Sequence, residues 1–272
     1  MMGRGHATMG VTTWVACTLP GSPLASRMPD VFTQAVGGPH PDWWYAATAL
    51  VMAGLAMLPD LDHPTGGGTV GHSIPIVGNL ASQTVRWASN NKHRGFSHWL
   101  LFALLAGWAA WAGATWPWHS PAGVIYWATG LILALAVASA LNVFRMPGGR
   151  ALHALTGLAC GAVVAIWIPI PPALAATMVG GGCVVHMIGD TLTTQGCPWL
   201  GPLRLDIRIP ILGKTGSVRE QILTILLAAA AVWIAWCSNN LLMVGLLSAW
   251  AVAVIAASVL QLRKPAHHQP GQ

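Results

Sequence analysis

Three short runs in this chain hold residue types that do chemistry: LPDLDH at 58–63, HRGFSH at 93–98 and HMIGD at 186–190. In HMIGD, His186 and Asp190 are four residues apart, a spacing that stacks an imidazole and a carboxylate on one helix face and aims both at one point. In LPDLDH, Pro59 ends the preceding helix and frees Asp60 and Asp62 to turn toward a shared point. Two such carboxylates are costly neighbours unless a cation or proton sits between them. HRGFSH adds His93 and His98, with Arg94 as a forked partner for phosphate or carboxylate. His6, in RGHATMG, is the weakest single signal. Imidazoles mixed with carboxylates and no thiolates suit zinc or another first-row divalent metal. Such a site lowers the pKa of a bound water toward neutrality, so metal-assisted hydrolysis is the natural class.

Each run has a plainer reading when taken alone. LPDLDH is also a polar turn with a helix stop, HMIGD a helix-end histidine bonded to its neighbour, and HRGFSH a basic anchor beside an interfacial histidine. Their coincidence on one membrane face, derived below, favours the chemistry.

The elements that position these groups are membrane helices. The 272 residues are 54% hydrophobic and only 7% charged, with fifteen tryptophans, whereas soluble domains are about a quarter charged. The net charge of +6 comes from basic residues scattered singly between apolar segments, a pattern of membrane topology and not of nucleic-acid binding. Five cysteines, Cys17, Cys160, Cys183, Cys197 and Cys237, lie far apart with no CxxC pair and read as small core residues. Arg4, the run after it and SPLAS loosely imitate a cleaved secretory signal, but Thr12, Thr13 and Thr18 interrupt the run and weaken that reading.

A bilayer core takes roughly 20 helical residues to cross. Two short apolar segments come first, near 6–20 and 43–58, then six better ones near 97–115, 122–144, 151–168, 172–189, 220–237 and 240–262. Pro117, Pro121, Pro147 and the IPIPP run at 168–172 punctuate them. If the loop 59–95 is called inner, Arg4, Arg86, Lys92, Arg94, Arg145, Arg150, Arg204, Arg208, Lys214, Arg219, Arg263 and Lys264 all fall inside, and only Arg27 falls outside. That bias marks the inner side as cytoplasmic, with both termini on it. Asp60, Asp62, Asp190, Asp206 and Glu220 lie on the same side. Six spans with two re-entrant or interfacial N-terminal pieces is the competing count.

Ser217 and Glu220 fit a capping box before the next apolar run. His40, His119 and His153 lack clustered partners, and the glycine run at 65–68 lacks the Lys and Ser or Thr of a phosphate loop. In the tail, His267 and His268 could bind metal, although a disordered polar end is the simpler reading.

In their order along the chain these residues resemble the YdjM-like family of LexA-binding, inner-membrane-associated, metal-dependent hydrolases. The family pattern is an early GH, then LPDxDH, HRGxTH, HxxxDxxTxxG with a proline six residues on, and GSxxE. This chain has Gly5 and His6, LPDLDH, HRGFSH, HMIGDTLTTQGCPWLGP at 186–202, and Gly216, Ser217 and Glu220. Ser97 stands where Thr is usual and keeps the hydroxyl, Trp99 replaces a Ser that commonly follows the second histidine, and the glycine-rich loop after LPDLDH is unusual. The family in turn is similar to zinc phospholipase C and the single-strand-specific zinc nucleases, in which His and Asp side chains hold a zinc cluster that cleaves phosphoesters. That remoter likeness implies a phosphoester substrate. At a membrane face a phospholipid or polyprenyl phosphate is easier to reach than soluble nucleic acid.

The expectation is an all-α, polytopic membrane helical bundle of about eight apolar segments, six long and two short N-terminal ones. It forms one domain over residues 1–264 with a disordered tail at 265–272, in the inner membrane. The expected activity is metal-dependent hydrolysis of a lipid-type phosphoester. His6, Asp60, Asp62, His98, His186 and Asp190 are the expected ligands of about one to three divalent ions, zinc being the best suited. His93, Arg94 and Asp62 are the expected catalytic groups, with His93 either a further ligand or a proton shuttle and Arg94 a phosphate clamp. Whether His63, His72 or Glu220 joins the site stays open. Two readings from other classes compete: a cation transporter, and a non-enzymatic membrane partner of a DNA-damage regulator such as LexA, which the family name suggests. A transporter wants ionisable groups near the midplane with access to both faces. No base-reading module is present in the sequence, so direct recognition of DNA sequence is not expected.

Overall fold

The computed structural model describes residues 1–64, 68–121, 123–203 and 205–263. Expectations about Thr65, Arg204, Lys264 and the 265–272 tail with His267 and His268 fall outside the described residues. Helix accounts for 71% of the chain and strand for 4%, which makes the fold essentially all-α.

Eleven α-helices are present among the described residues: α1 Gly3–Thr18, α2 Asp30–Val36, α3 Asp42–Leu55, α4 Gly68–Gly71, α5 Pro75–Ala88, α6 Leu100–Thr115, α7 Trp127–Val143, α8 Gly149–Trp167, α9 Pro172–Thr191, α10 Val218–Cys237 and α11 Leu241–Leu262. Each of the eight apolar runs read from the sequence coincides with one of α1, α3 and α6 to α11. Among the described residues five stretches are long and apolar enough to cross a membrane: 42–62, in which α3 runs on through a 3-10 turn, and α8, α9, α10 and α11. Helices α6 and α7 are apolar but shorter, and α1 has only 16 residues. The expected division into six long and two short segments therefore shifts: 43–58, read as short, lengthens through LPDLDH, while α6 and α7 start late, after Trp99 and Tyr126. The strand content among the described residues is a hairpin, β1 Trp118–Ser120 with β2 Gly123–Ile125, in the loop between α6 and α7, together with isolated bridges pairing Thr193 with Gly213 and Cys197 with Ile207.

Neighbours in sequence pair as hairpins, α7 with α8 and α10 with α11, while α1 lies against α3, α9 and α10, and α6 packs on α9. Small residues set the approach. A Cβ on Gly161 would lie 2.3 Å from the Gly130 carbonyl oxygen, and one on Gly157 2.4 Å from that of Ala134. Such small-residue seams are how helices in an apolar solvent gain packing, because lipid supplies no hydrophobic drive between them. The tightest contact positions the site: a Cβ on Gly54 would sit 1.8 Å from the Ala136 oxygen, and one on Gly182 2.8 Å from the Leu55 Cβ. Helix α3 is thus clamped between α7 and α9 one turn before LPDLDH.

Candidate metal centre

At the end of α3 the chain stops being an α-helix because Pro59 has no N–H to give. Asp60 donates its N–H to Met57 instead, in a 3-10 turn over Leu58–Asp62. The Ala56 carbonyl, which an uninterrupted helix would use for residue 60, accepts a hydrogen bond from His186 Nδ1 at 2.7 Å. A carbonyl only accepts, so Nδ1 carries the proton and Nε2 keeps a lone pair. Fixing the tautomer through the far nitrogen is the outer-sphere support that metal-ligating histidines usually have.

Asp62 is fully buried and gathers the HRGFSH run around it. Its Oδ2 accepts from the Ser97 hydroxyl at 2.7 Å and the Gly95 N–H at 3.0 Å, and its Oδ1 lies 2.9 Å from His93 Nδ1. Arg94 adopts φ 59°, a left-handed turn that lets both histidines of the run face the same pocket. His98 Nδ1 is 3.1 Å from the Ser97 hydroxyl and 3.3 Å from Asp62 Oδ2, and its Nε2 is 3.4 Å from Asp190 Oδ2.

Asp190, in the last turn of α9, is the hub on the other side. Its Oδ1 accepts from Arg94 Nη2 at 2.8 Å and from the Met1 α-amine at 2.5 Å, and lies 3.3 Å from His6 Nε2. His186 Nε2 is 3.8 Å from Asp190 Oδ2 and 3.6 Å from Asp60 Oδ1. The His6 and His186 rings stack with centroids 3.6 Å apart, so α1 delivers its imidazole directly onto that of α9. The segment that imitates a signal peptide is packed into the bundle with His6 wholly buried.

Three overlapping groups result: His6, His186 and Asp190; Asp60, His98 and His186; Asp62, His93 and His98. Within each group the potential ligand atoms lie within 4.8 Å of one another. Both nitrogens of His6, and Nε2 of His98 and His186, are buried with no hydrogen-bond partner. The His98 ring is fully buried between Asp62 and Asp190, with a carboxylate oxygen 3.3 Å from Nδ1 and another 3.4 Å from Nε2. The ring thus either carries a proton or gives Nε2 to a cation that offsets the same carboxylates. Burial raises the Cys197 thiol well above its usual value, and among the described residues none of the three groups includes a cysteine.

All the sequence-predicted site residues meet here, with differences in posture. His93 is the most open, its side chain 31% exposed, whereas the Arg94 guanidinium turns inward. Besides Asp190, Arg94 donates to the Gly196 carbonyl at 2.5 Å, so it braces α9 and the following loop, where a phosphate clamp was expected. His63 lies edge-on to His93 with ring centroids 4.8 Å apart, and burial followed by His93 lowers its pKa. His72, directly after α4, is exposed and belongs to none of the three groups. Glu220 stands apart from the three groups. The Ser217 hydroxyl caps its N–H, and its carboxylate accepts from the Gly216 and Met2 N–H groups at 2.7 and 2.5 Å. Sequence reading missed the backbone supports, Ala56 and Gly196, which no side-chain pattern reports; Pro59 was the available signal for the first.

A bundle of apolar helices that gathers buried histidines and aspartates at one end defines a membrane protein with groups able to hold metal. The chain belongs to the YdjM inner membrane protein family, whose pattern matches residues 1–264. It is similar to the inner membrane protein YdjM of Escherichia coli (strain K12) and that of Shigella flexneri. Each is 24% identical over 208 residues, covering 74% of this chain and 70% of the relative. No solved structure matches it.

Proposed function

We propose that this protein is a multi-pass inner-membrane hydrolase that holds divalent metal, zinc by preference, at the cytoplasmic end of its bundle and cleaves a lipid-type phosphoester. The observation that carries the metal is the set of partnerless Nε2 atoms of His6, His98 and His186, buried in one pocket with Asp60, Asp62 and Asp190. A buried polar atom left unpaired costs about 1–3 kcal/mol, and three that face common carboxylates form a donor set suited to a cation. Those six residues would hold about one to three ions, and the hard and borderline donors suit zinc.

A divalent ion held by these residues would supply Lewis-acid polarisation of a phosphoryl oxygen and would acidify water near neutral pH. The chain's own groups divide the remaining work. Ser97 and the Gly95 N–H fix one oxygen of Asp62, so its other oxygen orients His93. His93, the most solvent-exposed of the cluster histidines, is suited to carry a proton between Asp62 and bulk water. Arg94 neutralises Asp190 and so reduces the repulsion an anionic substrate would meet.

The family relationship and the relatives' description as inner membrane proteins support the location. The sequence pattern, which puts every basic residue but Arg27 on the inner side, supports eight crossings with both termini cytoplasmic. The cluster's position at one end of the bundle favours chemistry at a membrane face over a cation in transit. Metal analysis of detergent-purified protein, with a screen of phospholipid and generic phosphoesters, tests the proposal. Wild type should carry metal and Asp190→Asn should lose most of it; equal metal content in the two would overturn the site. Metal without turnover of any phosphoester would overturn the hydrolase alone.

A further inference from the structure

Helix α5 links the LPDLDH and HRGFSH runs, and its outward face is unlike that of a water-exposed helix. Ile76, Leu80 and Trp87 are 75%, 60% and 81% exposed. At 3.6 residues per turn the three fall within about 40° of arc. Asn79, Gln83 and Arg86 border that stripe on one side and Thr84 on the other, while Gly78 and Ser82 face the protein. With 14 residues, α5 is about 21 Å long and too short to span a bilayer. An apolar stripe between polar edges on such a helix is the signature of one lying in the membrane interface.

A second element, tied to the end of α9 beside Asp190, has the same character. In the loop from α9 to α10, Leu205, Ile207, Ile209 and Ile211 are all exposed. The loop is held rigidly: Cys197 and Ile207 exchange backbone bonds, the Ile209 N–H donates to the Thr191 carbonyl, and Gly201 sits against the Trp99 ring. These aliphatic side chains are held outward by backbone pairing and do not hang from a slack loop. Lys214 follows them and Arg86 borders the α5 stripe, basic groups that suit an anionic headgroup layer, while Arg208 is paired with Asp206 at 2.8 Å. Chain continuity leads to the same layer, since the loop joins the ends of two candidate spans.

We infer that α5 and residues 205–211 dip into the leaflet at the cluster's end of the bundle and hold the mouth of the site at headgroup level. Each is tied to a carboxylate motif: the Ser82 hydroxyl donates to the Leu61 carbonyl between Asp60 and Asp62, and Ile209 bonds Thr191 beside Asp190. The occupant of both apolar surfaces is lipid. On the hydrolase reading, and only there, the substrate reaches the cluster sideways from the leaflet.

The test is photocrosslinking in nanodiscs containing anionic lipid, with benzoylphenylalanine in place of Leu80, Ile209 or Lys92. Labelled lipid should attach at positions 80 and 209 at least about threefold more than at 92. Lipid yields equal to that at 92, or adducts to a second copy of the chain, overturn the inference. Should those proteins fail to fold, quenching of tryptophan fluorescence by brominated lipid should be weaker in Trp87→Phe than in wild type, and equal quenching overturns it as well. Neither readout depends on metal or turnover, so the hydrolase proposal can fail while this surface stands, or the reverse.

Discussion

Replacing Ser97 with alanine separates a metal centre from a merely well-packed polar pocket. Ser97 is fully buried, donates to Asp62 Oδ2 at 2.7 Å and stands 3.1 Å from His98 Nδ1, so one hydroxyl orients two candidate ligands. A hydrogen bond to a charged group contributes about 1.5–3 kcal/mol. With 1.4 kcal/mol to each factor of ten, losing it corresponds to about 10- to 150-fold weaker metal binding. Outer partners of metal ligands independently run at about 10–100-fold in affinity. The assay is competition for zinc between the detergent-purified protein and a chromophoric chelator, for wild type, Ser97→Ala and Ser97→Thr. Threonine keeps the hydroxyl on Cβ and should recover most of the affinity lost in alanine. A purely structural role would lower thermal stability in Ser97→Ala without moving the zinc constant. Zinc binding in Ser97→Ala as tight as in wild type would refute the reasoning.

Gly54→Ala drives a methyl into the Ala136 carbonyl; it should destabilise the bundle by about 3 kcal/mol, seen as a lower melting temperature, and weaken metal binding by tilting the end of α3. A melting temperature equal to wild type would mean that α3 is not clamped there. Glu220→Gln removes the charge from an acceptor of two backbone N–H groups at the start of α10, and should lower stability by about 1 kcal/mol with metal content unchanged; loss of metal would assign Glu220 to the centre. Chelation should lower the melting temperature, since a ligand held at a hundred times its dissociation constant contributes about 2.7 kcal/mol to the folded state. The same chelator should leave Asp190→Asn nearly unmoved.

The convergence of the site was readable because chemistry-bearing residues are scarce in this chain. With seven acids in all, a pair at Asp60 and Asp62 and one placed four residues after His186 stand out against an apolar background. Proline and the change from apolar to polar marked where α3 and α9 end, and the basic residues gave those ends a common side. What stayed hidden depends on three dimensions. The inward turn of Arg94 needs the Gly196 carbonyl, a hundred residues away, and a left-handed φ that its sequence does not announce. Helix α5 was passed over inside a loop named for its glycines, because a stripe of only Ile76, Leu80 and Trp87 is thin when the rest of the helix is small and polar. Span lengths were the least legible feature, since a tryptophan or tyrosine at a helix end reads as apolar whether or not the helix includes it.

Electrostatics explains why so many imidazoles are needed where the three aspartates are. Asp190 lies in the last turn of α9 and Asp60 and Asp62 in the turn that ends α3, so the carboxylates occupy the negative ends of two helix dipoles. Among the described residues, Arg94 and the Met1 α-amine are the cations in direct contact with these carboxylates, both on Asp190, and the start of α1 adds its positive end nearby. That leaves Asp60 and Asp62 to protonated histidine or to metal. The same geometry argues against a cation in transit. Just beyond the cluster the axis is filled where Leu55 meets Gly182 and Gly54 meets Ala136. Past this plug lies a cavity of about 560 Å³, bounded toward the cluster by Leu55 and Val179 and lined largely by apolar side chains. A divalent ion leaving the pocket that way would exchange carboxylates for hydrocarbon, at a desolvation cost far above any coupling energy available to it. The cation proposed for this centre would therefore stay at one face, as a resident group and not a passenger.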